Sequence, residues 1–463
     1  MSFGSLQFLS FFGGVFCLYW LVPYNRMRVV LLVVASYAFY SAWDYRFCLL
    51  LMIATVLAWG SGRLMSAAPA RRRPILIVSV AAQLAILGCF KYFNFFRDNA
   101  IALAAALQIE LDQPTLTILL PVGISFYILH SLCYTIDSYA QRFEATRYSL
   151  LDVALYVAFF PQLIAGPIMR AAQFLPQVEQ RLRWSTPLAA EGIRSFMIGL
   201  VYKYVIADNL GPISDIVFAA PGKWDSFALF TGVLAYYGQI YFDFAGYSLM
   251  AIGCSALLGY VLPPNFDHPY LATSITDFWR RWHMSLSSWL RDYVFIPLGG
   301  SRRGRARYYL NLLVTMGLGG LWHGAAWTFV AWGLLHGAGI AVHKVWLQAF
   351  PSRVRFAGVV LGLATTQMFV LTLWVLFRAP SLADAVTILT GMLTHREGMT
   401  FPGWLLGAVA APVIVDSAVG WFNRRGTSCE VPAFAYGLAM GMALETVCIT
   451  AVIAFRPFIY FQF

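Results

Sequence analysis

The sequence predicts an all-α protein that crosses a membrane many times. Three observations point there. The 463 residues are 60% hydrophobic and only 11% charged, against roughly 25% charged in a soluble domain. Apolar runs recur from Ser5 to Phe458 with few long polar gaps. Arginines gather in the short stretches between the runs. At about 20 apolar residues per crossing, roughly ten to twelve transmembrane helices are expected. They form one polytopic domain over residues 1–463, because no polar segment is long enough for a separate soluble one. The first run is followed at once by further runs, so a cleaved signal peptide is not expected.

The elements follow in order. Residues 5–65 read as three helices and 75–96 as a fourth, after a loop closed by Arg71–Arg73 and Pro74. "AIALAAALQIEL" (100–111) is too short to span and reads as interfacial. Residues 116–139 read as a long span and 150–166 as a shorter one, ending at Pro161 and Pro167. The polar stretch 171–190 reads as a cytoplasmic loop, and 191–261 as apolar runs interrupted by Lys203, Asp208, Asn209, Pro212 and Asp243. Residues 310–347, 356–377, 402–420 and 433–455 complete the membrane set, without an internal repeat of fixed period.

The net charge of +11 invites a nucleic-acid partner, but its distribution excludes that reading. The arginines lie in short loops, among them Arg26 and Arg28, Arg71–Arg73, and Arg302, Arg303, Arg305 and Arg307. Short basic loops mark the cytoplasmic side of a membrane. Threading the chain on that rule puts both termini outside, with the aromatics of "RPFIYFQF" at the outer interface. Seven scattered cysteines, without CxxC spacing, read as buried small hydrophobes. No P-loop, GxSxG, HExxH or dinucleotide fingerprint is present, and no carboxylate or cysteine joins His336 and His343 in a metal site.

One stretch stands out: "LGGLWHGAAWTFVAWGLLHG" (318–337), apolar and glycine-rich with His323 in its midst. The basic loop 301–307 and the stretch 343–355 fall on the same side, so the chain between them returns to the side it left. Leu310 to His323 spans about 21 Å as helix, at ~1.5 Å per residue, short of the ~30 Å hydrocarbon core. The turn at "GLGGLWHG" then lies within the membrane, where non-helical backbone is tolerated only when protein buries it or it lines a wet cavity. His323 is thus expected at a re-entrant tip; the alternative is a full crossing with His323 at the outer rim.

A second cluster, "SITDFWRRWHMSLSSWLRDYVFIPLGG" (274–300), has helical periodicity. Trp279, Trp282, Leu286, Trp289, Leu290 and Tyr293 fall on one stripe, and Ser274 with Asp277 forms a capping-box start. An amphipathic helix at the inner membrane boundary is expected, with His283 directed into its aromatic face. Arg280 and Arg291 lie off the stripe; they either pair with phosphates or simply set topology. Two inward histidines, His283 and His323, suit acyl transfer. A hydroxyl attacking a thioester needs a base that works near neutral pH, and general-base catalysis contributes about 10²–10⁴-fold. A dry pocket protects the thioester from water. For each histidine the structural alternative is a satisfied hydrogen bond. Asp243, in "QIYFDFAGYS", either orients a histidine, pairs with an arginine, or serves a proton path. His130 reads as structural.

These residues resemble a known family. "FKYFNFF" (90–96), "LPVGISFYILHSLCYTIDSY" (120–139), "FFPQLIAGPIMR" (159–170), "YFDFAGYSLMAIG" (241–253), the blocks 263–300 and 318–337, and the closing "RPFIYFQF" (456–463) are similar to the membrane-bound O-acyltransferases, in their alginate O-acetyltransferase membrane-subunit-like branch. The resemblance implies a ring of roughly eleven transmembrane helices, with re-entrant and interfacial helices, around a central funnel. It implies that His323 is the essential histidine and His283 the second. It implies a multi-pass protein of the bacterial inner membrane, embedded in lipid, that moves acyl groups from a cytosolic thioester toward an exported glycan. An extracytoplasmic SGNH/GDSL-like acetyltransferase and polysaccharide synthesis or export proteins are the implied partners. The chain departs from the pattern at His130, Ala245, Leu249 and Ala326, positions that bear on glycan and partner contacts.

The sequence is therefore expected to encode an O-acetyltransferase acting on an exported polysaccharide, with acetyl-CoA or an acyl-carrier thioester as donor substrate, no bound cofactor and no metal. The donor is expected near 279–307, contacting Trp279, Arg280, Trp282, Arg291, Arg302 and Arg303, with Trp322 and Asp243 as further substrate contacts. Two alternatives remain: transfer of another acyl group, such as D-alanine, to a cell-envelope polymer, and a transporter or export subunit without chemistry. The latter would carry inverted repeats with broken helices, and no such symmetry is visible.

Overall fold

A computed structural model of the chain describes residues 1–109, 118–350, 356–425, 441 and 458–459. Among them every regular element is helical. The chain divides into two compact units, Met1–Phe196 with Met250–Pro263, and Met197–Leu249 with Pro264–Phe463.

The first unit begins with α1 (Leu6–Leu21), α2 (Asn25–Asp44) and α3 (Cys48–Ala67), the three helices expected over 5–65. α4 (Arg72–Leu87) and α5 (Phe93–Ala106) follow, joined by a π-helical turn at Gly88–Tyr92. The continuous helical path from Pro69 to Ala106 corrects the reading of 100–111 as a separate interfacial segment. The π turn continues the helix, which ends at Ala106, and 110–111 lie outside the described residues. α6 (Ile124–Tyr139) starts later than expected, after a left-handed Gly123. The 150–166 segment is α7 (Leu150–Ala158) and the short α8 (Phe160–Leu163), broken at the non-helical Phe159 before Pro161. The "loop" at 171–190 is instead largely helix: α9 (Ala171–Glu179), and the start of α10 (Thr186–Leu200). Its polar residues lie on exposed faces while Phe174, Leu175 and Val178 are buried.

Apolar helices gain no hydrophobic drive from packing in lipid, so interhelical hydrogen bonds matter there. In this unit Thr135 of α6 accepts from Ser61 of α3 (3.1 Å) and Gln83 of α4 (2.9 Å). His130 accepts the Met169 backbone N–H through Nε2 (3.3 Å).

The second unit holds α11 (Asp208–Ala219), reached through a π-helical turn at Val201–Ala207, and most of α12 (Ser226–Leu257). Next come α13 (Ile275–Arg281), α14 (Met284–Leu290), α15 (Arg305–His323), α16 (Trp327–Ala349), α17 (Phe356–Arg378), α18 (Leu382–Leu393) and α19 (Trp404–Arg424). The expected helix over 274–300 is broken: α13 and α14 are separated at Trp282 and His283. His283 has φ +41° and ψ 55°, a left-handed backbone that a non-glycine residue seldom adopts. α18 was not expected; its Ser381 cap, which accepts from the Asp384 N–H, is its local start signal. The segment 433–455 lies outside the described residues apart from Gly441.

Five helical segments among the described residues are long and apolar enough to cross a membrane: Asn25–Ala67, Pro69–Ala106, Ser226–Leu257, Gly358–Arg378 and Trp404–Arg424. The α15–α16 hairpin is not one of them. Its helices pack closely because glycines face each other: a Cβ on Gly320 would sit 2.2 Å from the Phe329 carbonyl oxygen, and one on Gly333 2.2 Å from that of Met316. Small residues of this kind let helix backbones approach.

Candidate active site

α15 ends at His323, residues 324–326 form the turn, and α16 starts at Trp327. The histidine therefore stands at the tip of the hairpin, and it is 3% exposed. Its ring lies edge-on to Trp332 (5.1 Å between centroids) and Phe377 (5.2 Å), with Trp322 at 5.0 Å. His283, fully buried, comes within 6.4 Å of it, ring centroid to ring centroid. Phe244 (4.6 Å) and Trp322 (5.9 Å) also face His283.

The break at His283 is held by Asn265. The Asn265 carbonyl accepts from the Met284 N–H (2.9 Å). Its side-chain oxygen accepts from the Ser285 N–H (3.3 Å) and hydroxyl (2.8 Å), and lies 3.1 Å from His283 Nδ1. A backbone N–H can only donate, so the atom it meets is the amide oxygen. Nδ1 of His283 must then be the donor, which leaves the lone pair on Nε2. The amide is locked from its other end, where Nδ2 donates to Ser248 (3.1 Å). Among the described residues no group of the chain bonds His283 Nε2, so that lone pair is available to an acceptor hydroxyl or donor.

A cavity of about 860 Å³ lies in the same unit, lined by Met284 next to His283 and by Met316 of α15. Arg280, Arg291, Arg305 and Lys344 supply its charge; Trp279, Tyr308 and Tyr309 supply aromatic wall; Thr315, Met316 and Ile340 bound it along α15 and α16. Of the expected donor contacts, Trp279, Arg280 and Arg291 line it, while Trp282, Trp322, Arg302 and Arg303 do not. Trp282 is fully buried against Trp374 (4.9 Å) and Phe278 (5.6 Å), a packing position. Arg302 and Arg303 are exposed. Arg305 and Lys344, which do line the cavity, escaped the sequence reading because helix start and helix end converge only in the hairpin.

Among the described residues Asp243 bonds neither a histidine nor an arginine. It pairs with Lys203 (2.5 Å), which also holds Asp208 (2.7 Å), and its second oxygen accepts the Ile459 N–H (2.8 Å). The expected carboxylate partner is thus a lysine, and the group is an ion cluster behind the wall residue Phe244. Among the described residues no set of three or more His, Cys, Asp or Glu is placed to hold a metal.

Apolar helices of membrane-crossing length thus accompany a buried histidine pair at a hairpin tip and a basic cavity in the same unit. The chain belongs to the membrane-bound O-acyltransferase family, whose model matches residues 35–376. Among similar proteins are a probable alginate O-acetylase of Azotobacter vinelandii, 42% identical over 86% of this chain and 79% of its own, and a peptidoglycan O-acetyltransferase of Helicobacter pylori, 37% identical over 78% and 73%. A teichoic acid D-alanyltransferase of Streptococcus thermophilus is 31% identical over 43% of this chain and 52% of its own. The protein is accordingly a membrane protein and an acyltransferase.

Proposed function

We propose that this acyltransferase moves acetyl groups from cytosolic acetyl-CoA to hydroxyls of an exported polysaccharide. The observation that carries the reading is the meeting of His283 and His323, distant in sequence, within 6.4 Å among packed aromatic rings, with a basic cavity in the same unit. Arginine forks and a lysine ammonium suit the phosphates of coenzyme A. His323 accepts the proton of the attacking hydroxyl as its oxygen bonds the thioester carbonyl carbon. The carbon–sulfur bond then breaks, and the proton passes to the departing thiolate. His283 offers Nε2 as an acceptor that orients the incoming hydroxyl. The long, well-covered likeness to alginate O-acetylases and a peptidoglycan O-acetyltransferase favours acetyl over D-alanyl cargo.

The finer parts of the proposal follow from charge and resemblance. About eleven crossings form a ring around a funnel in the bacterial inner membrane, with the basic cavity open to the cytosol and both termini outside. An SGNH/GDSL-like partner outside completes delivery to the glycan. Within the cavity, Arg280, Arg291, Arg305 and Lys344 bind the donor, and Arg302 and Arg303 serve topology.

The test uses purified full-length protein in liposomes with radiolabelled acetyl-CoA and a polysaccharide acceptor. Wild type is expected to label the acceptor and His323→Ala to lose that activity. Equal transfer by both proteins would overturn the catalytic assignment. Absent transfer with intact polysaccharide transport would assign the chain to export instead.

A further inference from the structure

The basic cavity stops short of the histidine that would use its contents. Met316 lines it, and His323 lies seven residues further along α15, about 10 Å away at ~1.5 Å per residue. Neither His283 nor His323 is part of its wall. Met284, the chain neighbour of His283, also lines the cavity, and between Met316 and His323 stands an aromatic stack. Trp279 faces the cavity, and its ring lies 5.7 Å from Trp332, which in turn lies 5.1 Å from His323. Trp332 is 1% exposed and cannot meet the donor first.

Trp279 is held in place from behind. Its indole N–H donates to Nδ1 of the fully buried His336 (3.3 Å). His336 is itself wedged against Trp332, with centroids 4.7 Å apart. Moving the Trp279 ring aside breaks this bond and strands an indole donor and an imidazole acceptor in a buried place, which is costly. A small acyl group passes with little displacement of the ring. A longer chain must displace it fully.

We propose that Trp279, latched by His336, is the gate that restricts the transferred acyl group to short chains. Trp279 meets the acyl group; His336 is a positioning residue that acts through it. This deepens the donor assignment above and rests on it. The cargo class is the short-chain acyl thioester, and selectivity is set where the cavity ends and not at the histidine pair.

The experiment measures kcat/KM of the full-length protein in liposomes with acetyl-, propionyl-, butyryl- and hexanoyl-CoA. The readout is the butyryl-to-acetyl ratio, which loss of a merely structural contact would leave unchanged. Trp279→Ala is expected to raise the ratio about tenfold or more, in the range by which pockets discriminate methylenes. Trp279→Phe, which keeps a ring but loses the N–H, should raise it less. His336→Leu should match Trp279→Phe, the double variant should add nothing, and His336→Gln, which keeps an acceptor, should restore the wild-type ratio. Should Trp279→Ala fail to insert, the Phe and Leu variants carry the test. An unchanged ratio in variants that still transfer acetyl would overturn the gate. Wild type that takes no acyl group from any coenzyme A thioester would instead overturn the donor assignment.

Discussion

Two buried polar sites in one unit solve the same problem differently. Around Lys203, an ammonium 1% exposed pairs with two carboxylates each 3% exposed. Around His283 and His323, imidazoles are packed among aromatic rings, and the orienting group on His283 is a neutral amide. The first site pairs one ammonium with two carboxylates within the chain itself. The second leaves Nε2 of His283 unbonded within the described chain. The contrast teaches which buried polarity is scaffold and which is chemistry. Buried ionic groups that pair with each other are costly to break one at a time, whereas a buried base with an open lone pair is a candidate for a functional site.

The largest expected effect comes from breaking the ion cluster. Lys203→Met leaves two carboxylates buried without their counter-ion, and should lower unfolding stability by about 3–5 kcal/mol. The triple change Lys203→Met, Asp208→Asn, Asp243→Asn should lower it by less, since no charge is stranded. Chemical unfolding of the detergent-solubilised protein checks both, and a triple variant weaker than the single would contradict the scaffold role.

Next is the Asn265 amide that holds His283. Asn265→Leu leaves the His283 Nδ1–H and Ser285 N–H without their acceptor, a loss of about 1–3 kcal/mol. Acetyl transfer should fall about 10–100-fold, mostly in kcat, as for removal of comparable orienting partners. Asn265→Asp, which keeps an oxygen acceptor, should retain more activity. Equal loss in both variants would deny the orienting role.

A smaller effect separates the basic residues. Arg305→Glu should raise the donor KM several-fold through lost and reversed charge at the cavity, while Arg302→Glu should leave it near wild type. Steady-state kinetics over acetyl-CoA concentration decide it; equal shifts would mean a diffuse field and not a site.

The smallest is a pH effect outside the catalytic pocket. His268 Nδ1 lies 3.0 Å from Asp416, and this hydrogen bond holds the His268 pKa above its ordinary 6.5. A raised folded value means the contact stabilises fully below the unfolded value near 6.5 and is lost as pH rises through the folded one. The unfolding midpoint of wild type should therefore drop over that window, and that drop should shrink in Asp416→Asn.

How much of this was legible in the sequence differs by residue. A turn near His323 is expected from the return of the chain between two stretches on one side, and the structure has one at 324–326, but α15 starts at Arg305 and runs 19 residues, not the fourteen counted from Leu310. His283 is buried, as expected, but against Phe244 and Trp322 and not on the aromatic stripe of one continuous helix; the break there was not visible, since nothing local marks a left-handed non-glycine residue. Asn265 carries the bend from 18 positions upstream of His283, beyond any helical spacing. Lys203 and Asp208 are five apart, a spacing that an α-helix does not bring face to face. The π turn over Val201–Ala207, with its i→i+5 closure, places them together. Arg302 and Arg303 were indistinguishable from Arg305 in a basic run, because only the start of α15 decides which one faces the cavity.

The central claim is that His283 and His323 work on one substrate as a unit. Acetyl transfer by the full-length protein in liposomes, compared among His283→Ala, His323→Ala and the double variant, tests it most directly. The account expects the double variant to be no slower than His323→Ala, because groups acting in one step are not additive. Losses that multiply, or a His323→Ala protein that transfers acetyl like wild type, would contradict it.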